Sequence, residues 1–345
     1  MKRNTLFMLV LALTITLSGC SKKAVNIPYW AKDSIAMKSI VSYVASVTDE
    51  QSFDYIPASQ RIVVFDMDGT LYGELFPSYF DDCLLIHRLL HDDNYKAPEE
   101  YREYAEAFES ALLSNEPEPD SPKSGAQIAA ESFQGLSVEE YQAYIKEFMS
   151  EPAIGFEGMS YGEGFFQPMI ALVKYLYDND FTIFISSGSE RTIVRELIND
   201  TLGEWIPPYN IIGSSFTLEA TSQGDTDGRK YNFSKDDEVL LEGNLEFKNQ
   251  KTNKVFTIVE EIGVYPLLVF GNSSSDLAMA QYALQHGGKA YMLLCDDTER
   301  DYGDISVANE FADACKEMGI ETISMRDEFE TIYGSNVKKT QINPN

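Results

Sequence analysis

The stretch Arg61-Ile62-Val63-Val64-Phe65-Asp66-Met67-Asp68-Gly69-Thr70 decides the fold. Four consecutive apolar residues, β-branched or aromatic, predict a strand buried on both faces. Such strands belong to parallel sheets, whose ligand sites lie just past their carboxyl ends. Asp66 and Asp68 stand at that point, one residue apart. Gly69 lets the backbone turn sharply, and Thr70 offers a hydroxyl and an N–H to an oxyanion. Two crowded carboxylates repel unless a divalent cation or a shared proton relieves them, so the pair points to chemistry. The chain holds its own control: Asp225-Thr226-Asp227-Gly228 follows polar Thr221-Ser222-Gln223-Gly224. That second Asp-x-Asp-Gly predicts a hairpin turn.

Toward the N-terminus, Lys2 and Arg3 precede an apolar run from Leu6 to Thr16 that ends in Leu17-Ser18-Gly19-Cys20. The run is shorter than the roughly 20 residues a transmembrane helix needs, so residues 1–19 read as a cleaved signal. Its last four residues resemble a bacterial lipoprotein signal, which implies lipidation of Cys20 and an extracytoplasmic, membrane-anchored protein. Residues 20–30 read as a linker, and Ile35, Met37, Ile40, Val41, Tyr43 and Val44 recur at helical intervals.

The chain carries 27 lysines and arginines against 55 acids, a formal net charge of −28, and removing residues 1–19 takes away two cations and no acid. Such a surface repels nucleic acid. A phosphorylated substrate would need a metal and a few placed basic groups. Beyond Cys20 only Cys83, Cys295 and Cys315 remain, an odd count that argues against a disulfide framework and leaves room for one bridge or none. His87, His91 and His286 are not at ligand spacing near the Asp pair, so zinc is not expected.

From 73 to 164 the pattern is helical over 79–92, 98–114 and 126–149, with a proline-rich break at 116–122, and reads as a cap over the site. The α/β core, 31–72 and 165–335, resumes with a helix near 167–178 and the strand Phe181-Thr182-Ile183-Phe184-Ile185. Ser186-Ser187-Gly188-Ser189 follows, at the expected N-terminus of a helix, a favourable place for an anion. A β-hairpin insert is expected over 213–253. After Asn253-Lys254-Val255 and a short helix, Pro266–Phe270 predicts a strand running into Gly271-Asn272-Ser273-Ser274-Ser275-Asp276. A strand at 290–294, a helix near 305–318, a strand at 320–324 and a tail at 336–345 complete the chain. Alternating strands and helices predict a doubly wound, Rossmann-like parallel sheet.

Asp-x-Asp-Gly-Thr after one strand, Ser-Gly after a second, a lone lysine, and Gly-Asn-x-x-x-Asp after a third resemble, in this order, the four motifs of the haloacid dehalogenase superfamily. The likeness covers about residues 30–330, and Ser187-Gly188 with Arg191 and Asp276-Leu-x-Met is most similar to its phosphoserine phosphatase-like branch. The resemblance implies a phosphatase. Asp66 would be the nucleophile and Asp68 the general acid and base. Thr70, Ser187 and Gly188 would hold phosphoryl oxygens, and Lys254, preferred to Lys248 and Lys251, would neutralise charge. Mg²⁺ would sit among Asp66, the carbonyl of Asp68, Asn272 and Asp276. Asn272 departs from the more frequent Asp, which removes a negative charge and should weaken the metal site.

Competing readings are a dehalogenase, which has no use for Asp68, a phosphomutase or phosphotransferase of the same fold, and a catalytically weak or dead lipoprotein that binds a phosphorylated ligand. The substrate is expected to be a small phosphorylated metabolite, phosphoserine-like or phosphocholine-like. Arg88 and Arg102 give no clear match to a cap arginine that would hold a substrate carboxylate. Glu74 and the cap tyrosines would instead suit a cationic alcohol, and Arg191 is a further candidate for substrate selection. No protein partner is implied.

Overall fold

The computed structural model describes residues 25–74, 78–114 and 116–341; the signal segment and Cys20 lie outside them. Among the described residues nine strands are present: β1 Ile62–Phe65, β2 Phe156–Glu157, β3 Thr182–Glu190, β4 Ile211–Ala220, β5 Val239–Phe247, β6 Leu268–Gly271, β7 Lys289–Leu294, β8 Glu321–Ser324 and β9 Lys338–Lys339. Seven form one sheet in the order β5-β4-β3-β1-β6-β7-β8, in which every pairing is parallel except β4 with β5.

All four residues of β1 are buried, and they divide between two cores. Val63 and Phe65 face a core shared with helices Ile35–Thr48, Gln167–Tyr177 and Arg191–Asn199, whereas Ile62 and Val64 face one shared with helix Leu277–Gln285 and with Cys315 of helix Ile305–Glu317. Alternating side chains of an extended strand reach opposite faces, so a run apolar at every position needs a helical layer on each side. This is the doubly wound α/β fold expected from the sequence. Consecutive strands leave β1 in both directions, β3 on one side and β6 on the other. A crevice therefore opens at their carboxyl ends, where ligands bind in such sheets.

Five local expectations change. The helical stretch at 126–149 is two helices, Gly125–Ser132 and Val138–Phe148. Gly135 turns the chain between them at φ +83°, and a capping box at Ser137 and Glu140 starts the second. The expected hairpin insert is not separate from the sheet: β4 pairs with β3, and β5 extends the same sheet by one antiparallel edge strand. Lys254 lies inside helix Thr252–Thr257 rather than ahead of it. Residues 27–30 are no free linker. Ile27 and Trp30 are buried, Trp30 Nε1 donates to the Pro168 carbonyl at 2.8 Å, and its ring meets Phe329 edge-on at 5.0 Å. The tail is paired in part, β9 lying antiparallel to β2.

The cap is tied down on two sides. Its two connections to the core run together, with Gly73 N donating to Gly164 O at 2.9 Å and Phe166 N to Leu71 O at 2.9 Å. Across the cavity, Gly135 N donates to Leu241 O and Leu241 N to Leu136 O, each at 2.9 Å, which joins the cap to β5. Among the described residues no helix is long and apolar enough to cross a membrane. Cys83, Cys295 and Cys315 are all free thiols.

Trp30 tests whether this N-terminal arm belongs to the core. Trp30→Ala should cost about 3–5 kcal/mol, as for other large aromatic truncations in cores, and lower the urea midpoint of unfolding. An unchanged midpoint would mean that the arm folds independently of the domain.

Candidate active site

Three strand ends and one helix supply the site. β1 delivers Asp66 and Asp68, β3 delivers Ser187 to Ser189, the loop after β6 delivers Asn272 to Asp276, and helix Thr252–Thr257 delivers Lys254. Asp66, Asp68, Lys254 and Asp276 are all buried, at 6%, 6%, 1% and 0% exposure. At such depth a charge persists only when paired.

Lys254 Nζ bridges two of the acids, 2.5 Å from Asp66 Oδ1 and 2.7 Å from Asp276 Oδ1. Burial alone would strip its proton, but the charges of Asp276 and Asp66 more than offset this and hold its pKa above the ordinary lysine value. Asp276 Oδ2 accepts from Asn272 N at 3.1 Å, Ser273 N at 3.2 Å and Ser273 Oγ at 3.3 Å. Both oxygens of Asp276, a residue expected beside the metal, are thus engaged in shaping the loop and placing the lysine. Gly271 makes this possible, because a Cβ there would lie 2.5 Å from Asp276 Cβ.

Asp68 is held differently. Ser189 Oγ donates to its Oδ2 at 2.8 Å and Ser187 Oγ at 3.4 Å. Burial, then the charge of Asp81, raises its pKa above the usual carboxylate range, while Ser189 opposes the shift. Burial and then Asp276 raise the pKa of Asp66, against the pull of Lys254. A carboxyl raised toward neutrality suits an acid that must also serve as a base.

Three oxygens in the site are left open. Asp66 Oδ2 and the main-chain carbonyl of Asp68 accept from no donor among the described residues, and Asn272 Oδ1 meets only Thr70 Oγ1, at 3.5 Å. A carboxylate, a peptide carbonyl and an amide oxygen are hard donors of the kind that Mg²⁺ prefers, so the residues present fit that ion. Only one of the three is an acid side chain; accordingly, no cluster of three or more His, Cys, Asp or Glu at metal spacing occurs among the described residues.

A cavity of about 520 Å³ opens on this constellation. Asp66, Asp68, Lys254, Gly188 and Ser189 form its floor, while Tyr79, Asp81, Asp82 and Glu118 of the cap and Lys248 and Gln250 after β5 form its walls. Glu74 lines it as well and accepts from Asn272 Nδ2 at 2.6 Å. Burial, then the charges of Asp66 and Asp68, pushes its pKa up to about 8. Asp82 is also pushed up, by burial and then by Asp81.

Other expected site residues are placed elsewhere. Thr70 is fully buried and does not line the cavity. Arg191 pairs with Glu261 at 2.8 Å, away from the cavity. The helix N-terminus expected to receive an anion already holds one: Glu190 accepts from Thr192 N at 2.8 Å and Ile193 N at 3.2 Å. Ser187 and Gly188 instead lie within β3, which runs on to Glu190 past an irregularity in its pairing with β4. Arg88 pairs with Asp92 at 2.6 Å inside the cap, and Arg102 pairs with Glu99 and Glu106 on its surface.

Two residues have roles that the sequence reading did not assign: Ser189, named there only within an anion-binding stretch, and Asn249. Ser189 is the nearest partner of Asp68, and its place two residues after Ser187 on one strand face was a usable signal. Asn249 is fully buried; its Nδ2 donates to Ser186 Oγ and Ser187 O, and its Oδ1 accepts from Thr257 Oγ1 at 3.0 Å. It ties the end of β3 to the helix that carries Lys254, and no local pattern announces it.

No protein-family model matches the chain, and no curated protein matches it. A functionally unknown protein from Anaerococcus prevotii superposes with a TM-score of 0.53 at 14% identity, over 90% of this chain and 100% of that one. What they share is the fold. A cytosolic 5′-nucleotidase IIIB bound to cytidine aligns more loosely, with a TM-score of 0.45 at 12% identity over 85% of this chain and 86% of its own. A haloacid dehalogenase-family hydrolase from Salmonella enterica serovar Typhi gives 0.42 at 13%, over 80% and 70%.

Lys254→Met should leave two buried carboxylates facing each other, a loss on the order of 3–5 kcal/mol, measured by urea unfolding in chelator. The Asp66 pKa, already raised in the fold, rises further without the ammonium. Asp66 of the wild type is already raised to about 8, so the folded variant takes up its proton at a higher pH than wild type does, and its deficit narrows as pH falls from about 10 toward about 8. A deficit that stays constant over that range would mean that the lysine does not face ionised carboxylates.

Proposed function

We propose that the protein is a Mg²⁺-dependent phosphomonoester hydrolase of the haloacid dehalogenase type, working through an aspartyl-phosphate. The observation that carries this reading is Asp66: a buried carboxylate on the cavity floor with one oxygen paired to Lys254 and the other open, beside a second carboxyl held by two serines. One oxygen of the Asp66 carboxylate attacks phosphorus as the bond to the leaving alcohol breaks, the other remaining free for the metal, and Asp68, in its acid form, gives that alcohol its proton. Asp68 then takes a proton from a water molecule that attacks the phosphoryl group, which frees phosphate and restores Asp66. Lys254 balances charge on Asp66 throughout, and Gly188 and Ser189 face the phosphoryl oxygens. Bound among the open oxygens of Asp66, Asp68 and Asn272, Mg²⁺ would offset the phosphoryl charge.

The cap favours one kind of leaving group. Tyr79, Asp81, Asp82 and Glu118 give the cavity wall a negative potential, and Tyr79 is the cap tyrosine that reaches it. Among the described residues no arginine lines the cavity to receive a substrate carboxylate, which weighs against phosphoserine and the branch named for it. The reading is therefore a phosphorylated amino or quaternary-ammonium alcohol, such as phosphoethanolamine or phosphocholine. We place the enzyme outside the cytoplasm, anchored through a lipid on Cys20; the grounds are the signal-like residues 1–20.

Phosphate release from a panel of phosphomonoesters with Mg²⁺ tests the reading. Cationic alcohol phosphates should turn over fastest, excess EDTA should stop the reaction, and Asp66→Asn should abolish it with the fold intact. Near-native release by that variant would remove Asp66 from its role. Cys20→Ser should move the protein from the membrane fraction to the soluble one with unchanged kcat and KM; persistence in the membrane would refute the anchor.

A further inference from the structure

Asn272 leaves the cation site one negative charge short, and the structure brings a carboxylate to that same side chain from 198 residues away. Asn272 Nδ2 donates to Glu74 Oε1 at 2.6 Å. Glu74 Oε1 takes the NH₂ end of the amide, a bond that a flipped amide would lose; with a cation offsetting the charges of Asp66 and Asp68, Glu74 is a carboxylate with no proton of its own to give. Glu74 thereby fixes which way Asn272 points. Its Oδ1 is left on the opposite side, with Thr70 Oγ1 as its sole and distant donor.

The space for this pair is built in. Gly69 has φ +71°, and a Cβ there would fall 1.9 Å from Asn272 Nδ2 and 2.7 Å from Glu74 Cδ. The glycine of Asp-x-Asp-Gly thus serves the turn and also admits the Glu74–Asn272 contact. Glu74 is held as well. Gly73 N donates to Gly164 O at 2.9 Å, a Cβ on Gly73 would come within 2.4 Å of Tyr333 Oη, and the Tyr72 hydroxyl donates to the Tyr161 carbonyl.

We propose that Glu74 is the positioning residue of the cation site, orienting the Asn272 amide so that Oδ1 serves as ligand and supplying from the adjacent position the negative charge that the amide lacks. The inference rests on the metal-dependent reading above. It also reverses simple charge counting at Asn272. An aspartate there would face Glu74 carboxylate to carboxylate, losing a hydrogen bond and gaining a repulsion, so Asn272→Asp alone does not tighten Mg²⁺ binding.

Isothermal calorimetry of Mg²⁺ binding to the full chain, without substrate, tests this independently of turnover. Glu74→Gln should weaken Mg²⁺ by about tenfold or more, the range found when partners of metal ligands are removed. The double variant Glu74→Gln with Asn272→Asp returns the charge, now on the ligand, with an amide to donate to it; its affinity should come back to within about threefold of wild type. Circular dichroism of each metal-free variant confirms that the fold is kept. Wild-type Mg²⁺ affinity in Glu74→Gln, a loss that the double variant does not recover, or no Mg²⁺ binding to the wild type would each overturn the proposal. A wild type that binds Mg²⁺ in this Glu74-dependent way yet hydrolyses no phosphomonoester would leave it standing and refute the phosphatase reading alone.

Discussion

One ammonium group holds the carboxyl end of the sheet together. Lys254 lies between Asp66 at the end of β1 and Asp276 in the loop after β6, with almost no exposure to water. Removing an ion pair from water is expensive, and the expense is recovered only when each charge keeps a close partner. The geometry is therefore constrained on every side. If helix Thr252–Thr257 shifts, two carboxylates lose their counter-ion; Asn249 prevents that by binding both Ser187 O and the Thr257 hydroxyl. Hydrophobic packing sets the sheet, but these polar bonds set where its ends stand relative to one another.

The rest of the site carries an excess of negative charge. Asp66, Asp68, Glu74 and Asp276 surround that single ammonium, and the cap adds Asp81, Asp82 and Glu118. Burial first, and then that excess, raises the pKa values of Asp66, Asp68, Glu74 and Asp82. A cation on the floor and a cationic substrate against the wall would relieve it in different places. Glu74 stands between the two regions, on the cavity wall and in contact with Asn272.

How much was legible depended on the range over which each signal acts. β1 was plain because four apolar residues in a row leave no polar face, and that alone required helices on both sides of a parallel sheet. The split of the cap helix was encoded locally, in Gly135 and in Ser137 with Glu140, but helical periodicity on both flanks masked it. Glu190 capping its own helix was equally local; the sequence offered an anion site there without saying that the chain would fill it. Spacing to the next strand favoured Lys254 over Lys248 and Lys251; what sets it apart in the fold is burial, a tertiary property. The contact between Glu74 and Asn272 spans most of the chain, and neither residue carries a local pattern that names the other. Arg191 shows the converse: its place after Ser-Gly-Ser-Glu suggested the site, while its side chain turns outward to Glu261.

The bonds that fasten the cap bear on how anything enters. Its two connecting strands are stitched to each other at Gly73–Gly164 and Leu71–Phe166, and its far side is stitched to β5 at Gly135 and Leu136. A lid swings about one flexible edge, but main-chain bonds fasten this cap along two edges, so moving it would break one set of them. What the cavity admits would then depend on the size and charge of its lining, Tyr79 and Lys248 included, more than on the energy of closing a hinge.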